Sequence, residues 1–377
     1  MFCSDFAAIQ NGKNHIAQYL FANLDESLYL CGKHYIFFGM RSLYGMSLEE
    51  LQQLCAELQL PRFAAKQIAR WLYRRHVNSI DEMTDISAAG RALLKENTTL
   101  GLSAPLRESV SKDGTKKYLF KTSEGALIES AYIPDGERAT LCVSSQAGCR
   151  MGCRFCATAQ QGLQHSLSVT DILNQIISLP ERDRLTNLVF MGMGEPLDNM
   201  ASLLPALEIL TSEWGFGWSP TRITVSTAGV AKNLAEFLDK TKVHLAVSLH
   251  NPFHEERAEI MPIEKAYPIA EVADILRRYD FTHQRRVSFE YIVMSGLNNH
   301  PRHIKELCRL LNGIKCRMNL IRFHKIPGSP YFSPDQEKME RFRDTLTAKG
   351  IMTTIRASRG EDIEAACGLL STREGKA

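Results

Sequence analysis

From residue 139 to residue 355 the chain repeats one pattern, a short apolar run followed by a stretch with helical spacing. The runs are ATLCVSS, NLVFMGM, RITVST, VHLAVSLH, RVSFEYIVM and MNLIRFH, and the helical segments begin near Val169, Met200, Val230, Ile269, Pro301 and Pro334. Strands joined by helical crossovers predict an α/β fold with a parallel sheet. Six such units are too few for an eight-stranded closed barrel, so an open or partial barrel is expected. Ligand sites in such sheets form at the carboxyl ends of the strands. A last strand, MTTIRAS, and a short helical stretch, EDIEAACGLL, follow.

The residues ahead of this pattern divide into three. Residues 1–44 show no period and no caps, and read as a poorly ordered extension or as sequence upstream of a start at Met40 or Met46. At Ser47, with Glu49 and Glu50 behind it, a helical pattern opens. In the next segment Arg62, Lys66, Arg70 and Arg74 recur at every fourth position with no acid between Arg62 and Arg75. Such a stripe is either a solvated helix face or a face for RNA phosphates. Residues 116–133 alternate as a hairpin turning at Ser123–Gly125. The expected division is therefore an extension (1–44), a helical accessory domain (45–100), a linking β-hairpin (101–135) and the α/β core (136–377).

The 377 residues are enough for two or three domains, and 44% hydrophobic with 23% charged residues excludes a disordered tail or a coiled-coil rod. The net charge of +3 does not by itself mark a nucleic-acid binder. The longest apolar stretch, Leu28 to Met40, is interrupted by Gly32, Lys33, His34 and Gly39, too short and broken to span a bilayer. With no secretory signal at the N-terminus, a cytoplasmic protein is expected. In that compartment clustered cysteines mean metal or redox chemistry rather than structural disulfides.

Of ten cysteines, Cys142, Cys149, Cys153 and Cys156 are clustered. Cys149, Cys153 and Cys156 form C-x3-C-x2-C just after the first strand of the core. Three soft ligands suit zinc or an iron–sulfur cluster. A structural zinc site takes four protein ligands, and no second CxxC pair is present. Three cysteines on a 4Fe–4S cluster leave one iron open for a substrate. After the second strand, Gly192, Gly194 and Glu195 form a glycine-rich turn suited to close backbone approach. Alone, Cys142 reads as a buried strand cysteine and Cys367 as packing.

The cysteine loop resembles that of the radical S-adenosylmethionine (SAM) superfamily. CVSSQAGCRMGCRFCATAQQG, FMGMGEPLDN, VSTAG, AVSLH, MPI and RGEDIEAACG, in that order from about Met46 to Leu370, resemble its RlmN/Cfr branch. MGMGEPLDN and RASRGEDIEAACG are similar to the RlmN versions. The resemblance implies a partial (β/α)6 radical SAM barrel, a 4Fe–4S cluster on Cys149, Cys153 and Cys156, and SAM contacts at Gly194, Glu195, Ser226, Ser248, Leu249, His250 and His324. At His324 the family position is often asparagine.

The resemblance also implies the reaction, methylation of C2 of adenosine 2503 in 23S ribosomal RNA and of adenosine 37 in transfer RNA. One SAM methylates the Cys367 thiolate. A second, cleaved at the cluster, supplies the radical that takes a hydrogen from the S-methyl group, and the carbon radical adds to adenine. Cys142 then attacks the Cys367 sulfur, forming a transient disulfide and releasing the base, and Glu129 takes the adenine proton. An electron donor for the cluster and a thiol reductant are the further partners, and the chain is expected to be a monomer. Two alternatives stand beside this one, Cfr-like methylation at C8 and a non-catalytic, metal-stabilised RNA-binding module.

Overall fold

The computed structural model describes residues 30–31, 34–35, 40–282 and 286–372. Most of the 1–44 extension lies outside the described residues, although Leu30–Cys31 pairs antiparallel with His34–Tyr35.

The folded N-terminal unit begins earlier than the sequence suggests. Arg41–Ser42 pairs in parallel with Thr98–Thr99, and Leu43 and Tyr44 are fully buried. Periodicity misses this entry because a two-residue strand has none. Three helices follow, α1 (Leu48–Glu57), α2 (Ala64–Tyr73) and α3 (Ala88–Asn97). Ser47 and Glu50 close a capping box on α1, each satisfying a backbone N–H of the other, a device that contributes about 1 kcal/mol.

Half of the basic stripe in and beside α2 is engaged by tertiary contacts. Arg70 pairs with Asp85, and Arg75 stacks over the Trp71 ring at 4.4 Å. Arg74 donates to the carbonyls of Phe216 (2.8 Å) and Glu213 (2.7 Å), bolting the helical unit onto the core. Arg62 and Lys66 remain exposed, beside Phe63 at 64% exposure.

One sheet organises the rest. Its strands are β1 (Arg107–Val110), β2 (Lys116–Lys121), β3 (Leu127–Asp135), β4 (Arg138–Cys142), β5 (Asn187–Phe190), β6 (Ile223–Thr227), β7 (His244–Ser248), β8 (Val287–Val293), β9 (Cys316–Arg322) and β10 (Met352–Ile355). Their spatial order is their chain order. From β4 to β10 every pairing is parallel, and β1 to β4 is an antiparallel meander. The segment expected to link two domains is thus part of the core sheet itself. The crossover helices α4 (Val169–Ile177), α5 (Met200–Thr211), α6 (Ala231–Lys240), α8 (Ile269–Leu276), α9 (Pro301–Leu310) and α10 (Gln336–Ala348) start within two residues of the expected positions, with a short α7 (His254–Ile260) after β7. Their apolar faces and the strand interiors form one core. This is the partial barrel that the strand count implies, with its loops gathered at the carboxyl edge.

Candidate active site

A cavity of about 410 Å³ opens at that edge, within the size range of small-molecule sites. It is lined by Cys142 at the end of β4, by Cys149, Cys153 and Cys156, by Gly192, Gly194 and Glu195 after β5, by Ser226 on β6, and by Ser248 and His250 at the end of β7. His324 after β9 and Cys367 of the C-terminal segment complete the wall. A roomier open groove, about 760 Å³, runs between Lys95, Thr99 to Ala104 and Arg182, but no cysteine or histidine lines it.

The cysteine loop is cradled by a ribbon that sequence reading missed, Gln146–Gly148 paired antiparallel with Leu163–Ser166. Its two short strands are too polar to announce themselves. Gly148 has φ +77°, and a Cβ there would lie 1.8 Å from the Gly162 carbonyl oxygen. Burial pushes the Cys149 thiol up to about 12, raises Cys156 and raises Cys153 strongly. Buried thiols stay protonated unless a positive charge replaces the proton, which is what iron ligation supplies. Among the described residues no three His, Cys, Asp or Glu groups converge at single-ion spacing. A cubane takes each thiolate on a different iron, so its ligands need no such convergence, and the donor set fits an iron–sulfur cluster.

The Gly-Glu turn is fixed by contacts to the first loop. Gly194 has φ +99°, and a Cβ there would sit 2.7 Å from the Gln146 nitrogen. The Glu195 N–H donates to Gln146 Oε1 at 2.9 Å. Its carboxylate accepts from the N–H groups of Leu197 (3.0 Å) and Ala228 (2.6 Å). Burial nevertheless raises Glu195 to about 7. A buried carboxylate at the cavity wall is a ready partner for an ammonium group.

His250 takes the left-handed φ of +56° and accepts at Nδ1 from the Ile292 N–H (3.0 Å). Burial, with Arg257 nearby, lowers it to about 3. It is therefore a neutral ring with its proton on Nε2. Arg257, wholly buried, donates to the carbonyls of Ala228, Ser248 and Leu249 and pairs with Glu264, holding the ends of β6 and β7 together. Leu249 is buried beneath the cavity rather than lining it, and meets it only through this backbone frame. His324 faces Ser358 Oγ (3.3 Å) and Glu361 (3.5 Å), so both its ring nitrogens are turned to the carrier segment.

Glu129 is not brought into the cavity lining. It lies on β3 two positions from Ala131, the partner of Cys142, and is 1% exposed. One carboxylate oxygen pairs with Lys117 Nζ at 3.2 Å, and the other accepts from the Ser371 N–H at 2.8 Å. Among the lining residues that escaped sequence reading are Glu290 on β8 and Arg356 after β10. A glutamate inside the apolar run RVSFEYIVM was the available signal for the first, because a buried strand position does not tolerate an unpartnered charge.

Comparison with known proteins agrees with this geometry. Residues 143–311 match the radical SAM superfamily model, and residues 41–100 match the ribosomal RNA large subunit methyltransferase N-terminal domain. The chain is 58% identical over 330 residues to a probable dual-specificity RNA methyltransferase RlmN of Bacteroides thetaiotaomicron, covering 88% of this chain and 96% of that one. It is 41% identical over 330 residues to the dual-specificity RNA methyltransferase RlmN of Syntrophus aciditrophicus, covering 86% and 95%. Among solved structures, a radical SAM methyltransferase from Sphaerobacter thermophilus superposes with a TM-score of 0.83 at 39% identity, over 88% of this chain and all of that one. The superfamily's two cofactors, a 4Fe–4S cluster and SAM, come with this match. With its cysteine loop, its Gly-Glu turn and its N-terminal helical unit all accounted for, the chain belongs to the RlmN family of dual-specificity RNA methyltransferases within the radical SAM superfamily.

Proposed function

We propose that this enzyme methylates C2 of adenosine 2503 in 23S ribosomal RNA and C2 of adenosine 37 in transfer RNA, using Cys367 as methyl carrier and Cys142 as resolving thiol. The observation that carries the reading is that Cys142, from the first parallel strand, and Cys367, from the C-terminal segment, line the same cavity as the three cluster cysteines. Neither a zinc-stabilised binding module nor a radical enzyme without a carrier has a use for that second pair of thiols.

A carrier answers a problem of polarity. The methyl of SAM and adenine C2 are both electron-poor, so direct transfer between them fails. The bound cluster and SAM supply a methyl group and a hydrogen-abstracting radical, and everything else falls to the chain. Cys367 accepts the methyl on sulfur and delivers its carbon, as a radical, to C2 of the base; the adduct gives up the C2 proton and one electron, which the bound cluster would take back, leaving protein and RNA joined. The Cys142 thiolate then attacks the Cys367 sulfur. An S–S bond forms, the S–C bond breaks, and its electron pair leaves with the carbon, which takes a proton to become the new methyl. A thiol reductant returns both cysteines. Glu195 would take the SAM ammonium, with Gly194, Ser226, Ser248, His250 and His324 around the rest. Cys149, Cys153 and Cys156 would hold the cluster.

Glu129 remains the family-matched proton acceptor. Its bonds to Lys117 and Ser371 mean that this role requires the C-terminal segment to move off it. RNA substrates of this kind fit a cytoplasmic enzyme. No helix among the described residues is long and apolar enough to cross a membrane. Nucleoside mass spectrometry of ribosomal and transfer RNA, with and without the gene, tests the reading. 2-Methyladenosine should disappear from both RNAs on deletion. Loss of 8-methyladenosine instead would assign the Cfr-type reaction.

A further inference from the structure

The cavity wall carries a cation that the reaction described above does not use. Arg356 follows β10, its N–H bonded to the Leu320 carbonyl at 2.9 Å. Its guanidinium Nη1 lies 3.5 Å from Met191 Sδ and 3.4 Å from Glu290 Oε2. Glu290 is itself held, because Oε1 accepts from Asn319 Nδ2 (2.7 Å) and from Ser288 Oγ (3.1 Å). The carboxylate is 3% exposed, and a buried carboxylate fixed on one side by neutral donors aims its other oxygen at a cation. Arg356 is thereby presented to the wall that bears Cys142, Met191 and Cys367.

Cys142 needs such a neighbour. Its immediate surroundings on β3, β5 and the carrier segment are Ala131, Val189 and Ala365, all apolar. The charged or titratable groups that face it are Arg356, Glu290 behind Arg356, and Cys367. Asp135, Arg138 and Arg359 stand on the same cavity wall, with Arg359 paired to Asp135 at 3.0 Å. Burial pushes the Cys142 thiol up to about 12, and Cys367 pushes it the same way. The Met191 N–H and the Arg356 charge push back. A resolving cysteine acts only as thiolate.

We propose that Arg356, oriented by Glu290, is the positioning cation that draws Cys142 to its thiolate for attack on the Cys367 sulfur. The role deepens the carrier–resolver reading and rests on it, but it can be measured without SAM, RNA or turnover, so its failure is separable from failure of that reading.

The test uses the full-length, cluster-loaded chain carrying Cys367→Ala, so that Cys142 reacts alone. Methyl methanethiosulfonate is the probe. The Cys142 thiolate attacks the sulfenyl sulfur, an S–S bond forms, methanesulfinate leaves, and the thiol proton goes to solvent. Peptide mass spectrometry gives the rate at Cys142 across a pH series. Arg356→Met and Arg356→Gln should each lower that rate about tenfold at every pH below the thiol midpoint and move the midpoint up by about one unit. Arg356→Lys should keep most of the wild-type profile. A purely structural arginine predicts no such rescue by lysine and no displaced pH profile. Cluster absorbance and thermal melting identify any variant that fails to fold, and the remaining neutral variant then decides. An unchanged Cys142 profile in a folded, cluster-loaded neutral variant overturns the proposal.

Discussion

The Ser371 N–H donates a 2.8 Å hydrogen bond to the buried Glu129 carboxylate, just beyond Cys367. The carrier segment is pinned along its whole length in the same manner. Ala157 N–H donates to the Gly368 carbonyl (2.8 Å), Thr158 Oγ1 to the Leu370 carbonyl (2.6 Å), and the Gly360 N–H to Asp113 (2.9 Å). Cys367 therefore reaches the cavity on a loop whose ends are fixed to the cysteine loop, to β3 and to the turn between β1 and β2.

Glu129→Gln leaves Lys117, itself only 6% exposed, without its ion partner. Loss of one member of a buried pair costs about 3 kcal/mol. Chemical denaturation should show that loss, and hydrogen exchange should speed up around residues 365–372. Adding Lys117→Met should recover much of the stability. A fall in turnover with unchanged stability and exchange would instead mark Glu129 as proton acceptor alone.

SAM binding should be linked to protons through Glu195. Burial raises that carboxyl to about 7, so below this pH it is protonated and cannot pair with an ammonium. Affinity should fall as pH drops below about 7, approaching tenfold per unit. Anaerobic calorimetry of the cluster-loaded enzyme measures this directly. Glu195→Gln should bind weakly and lose the pH slope.

The cations in and beside α2 should divide by their partners. Arg62 and Lys66 are exposed, so their joint change to alanine should weaken RNA binding and reduce its salt slope by roughly 1.5. Arg74→Ala removes the bolt to Phe216 and Glu213, and should lower the melting temperature. Equal salt slopes for wild type and the Arg62/Lys66 double variant would return the stripe to a solvated face.

Cys142→Ala should still load a methyl on Cys367 and still add to adenine, but should not release the product. A covalent RNA–protein species through Cys367 should then accumulate in denaturing gels after nuclease trimming. Cys367→Ala, and the double variant, should show none. Normal turnover by Cys142→Ala would remove Cys142 from the mechanism.

Much of this was written in the order of residues. Strand and helix periods are local properties, so the parallel core and its crossovers could be read from RITVST or VHLAVSLH without a structure, and the three cluster cysteines stood together on one loop. The hairpin at residues 116–133 was legible as a hairpin, but not as part of the core sheet. That depends on β3 pairing with β4, whose register follows from packing. The α2 stripe looked unneutralised because the acid that meets Arg70 is Asp85, beyond the helix.

The site shows the same division. Residue type and spacing marked the cluster loop and the Gly-Glu turn, while Cys142 and Cys367 became candidates only through the family resemblance. Tertiary structure alone decided that Cys142 and Cys367 share a wall, that Glu129 is bound to Ser371, and that Glu290 presents Arg356 to the thiols. Local sequence sets backbone preference over a few residues. Ion pairs and hydrogen bonds between strands that meet only after folding depend on distances no local pattern encodes, and burial then sets how strongly those charges act.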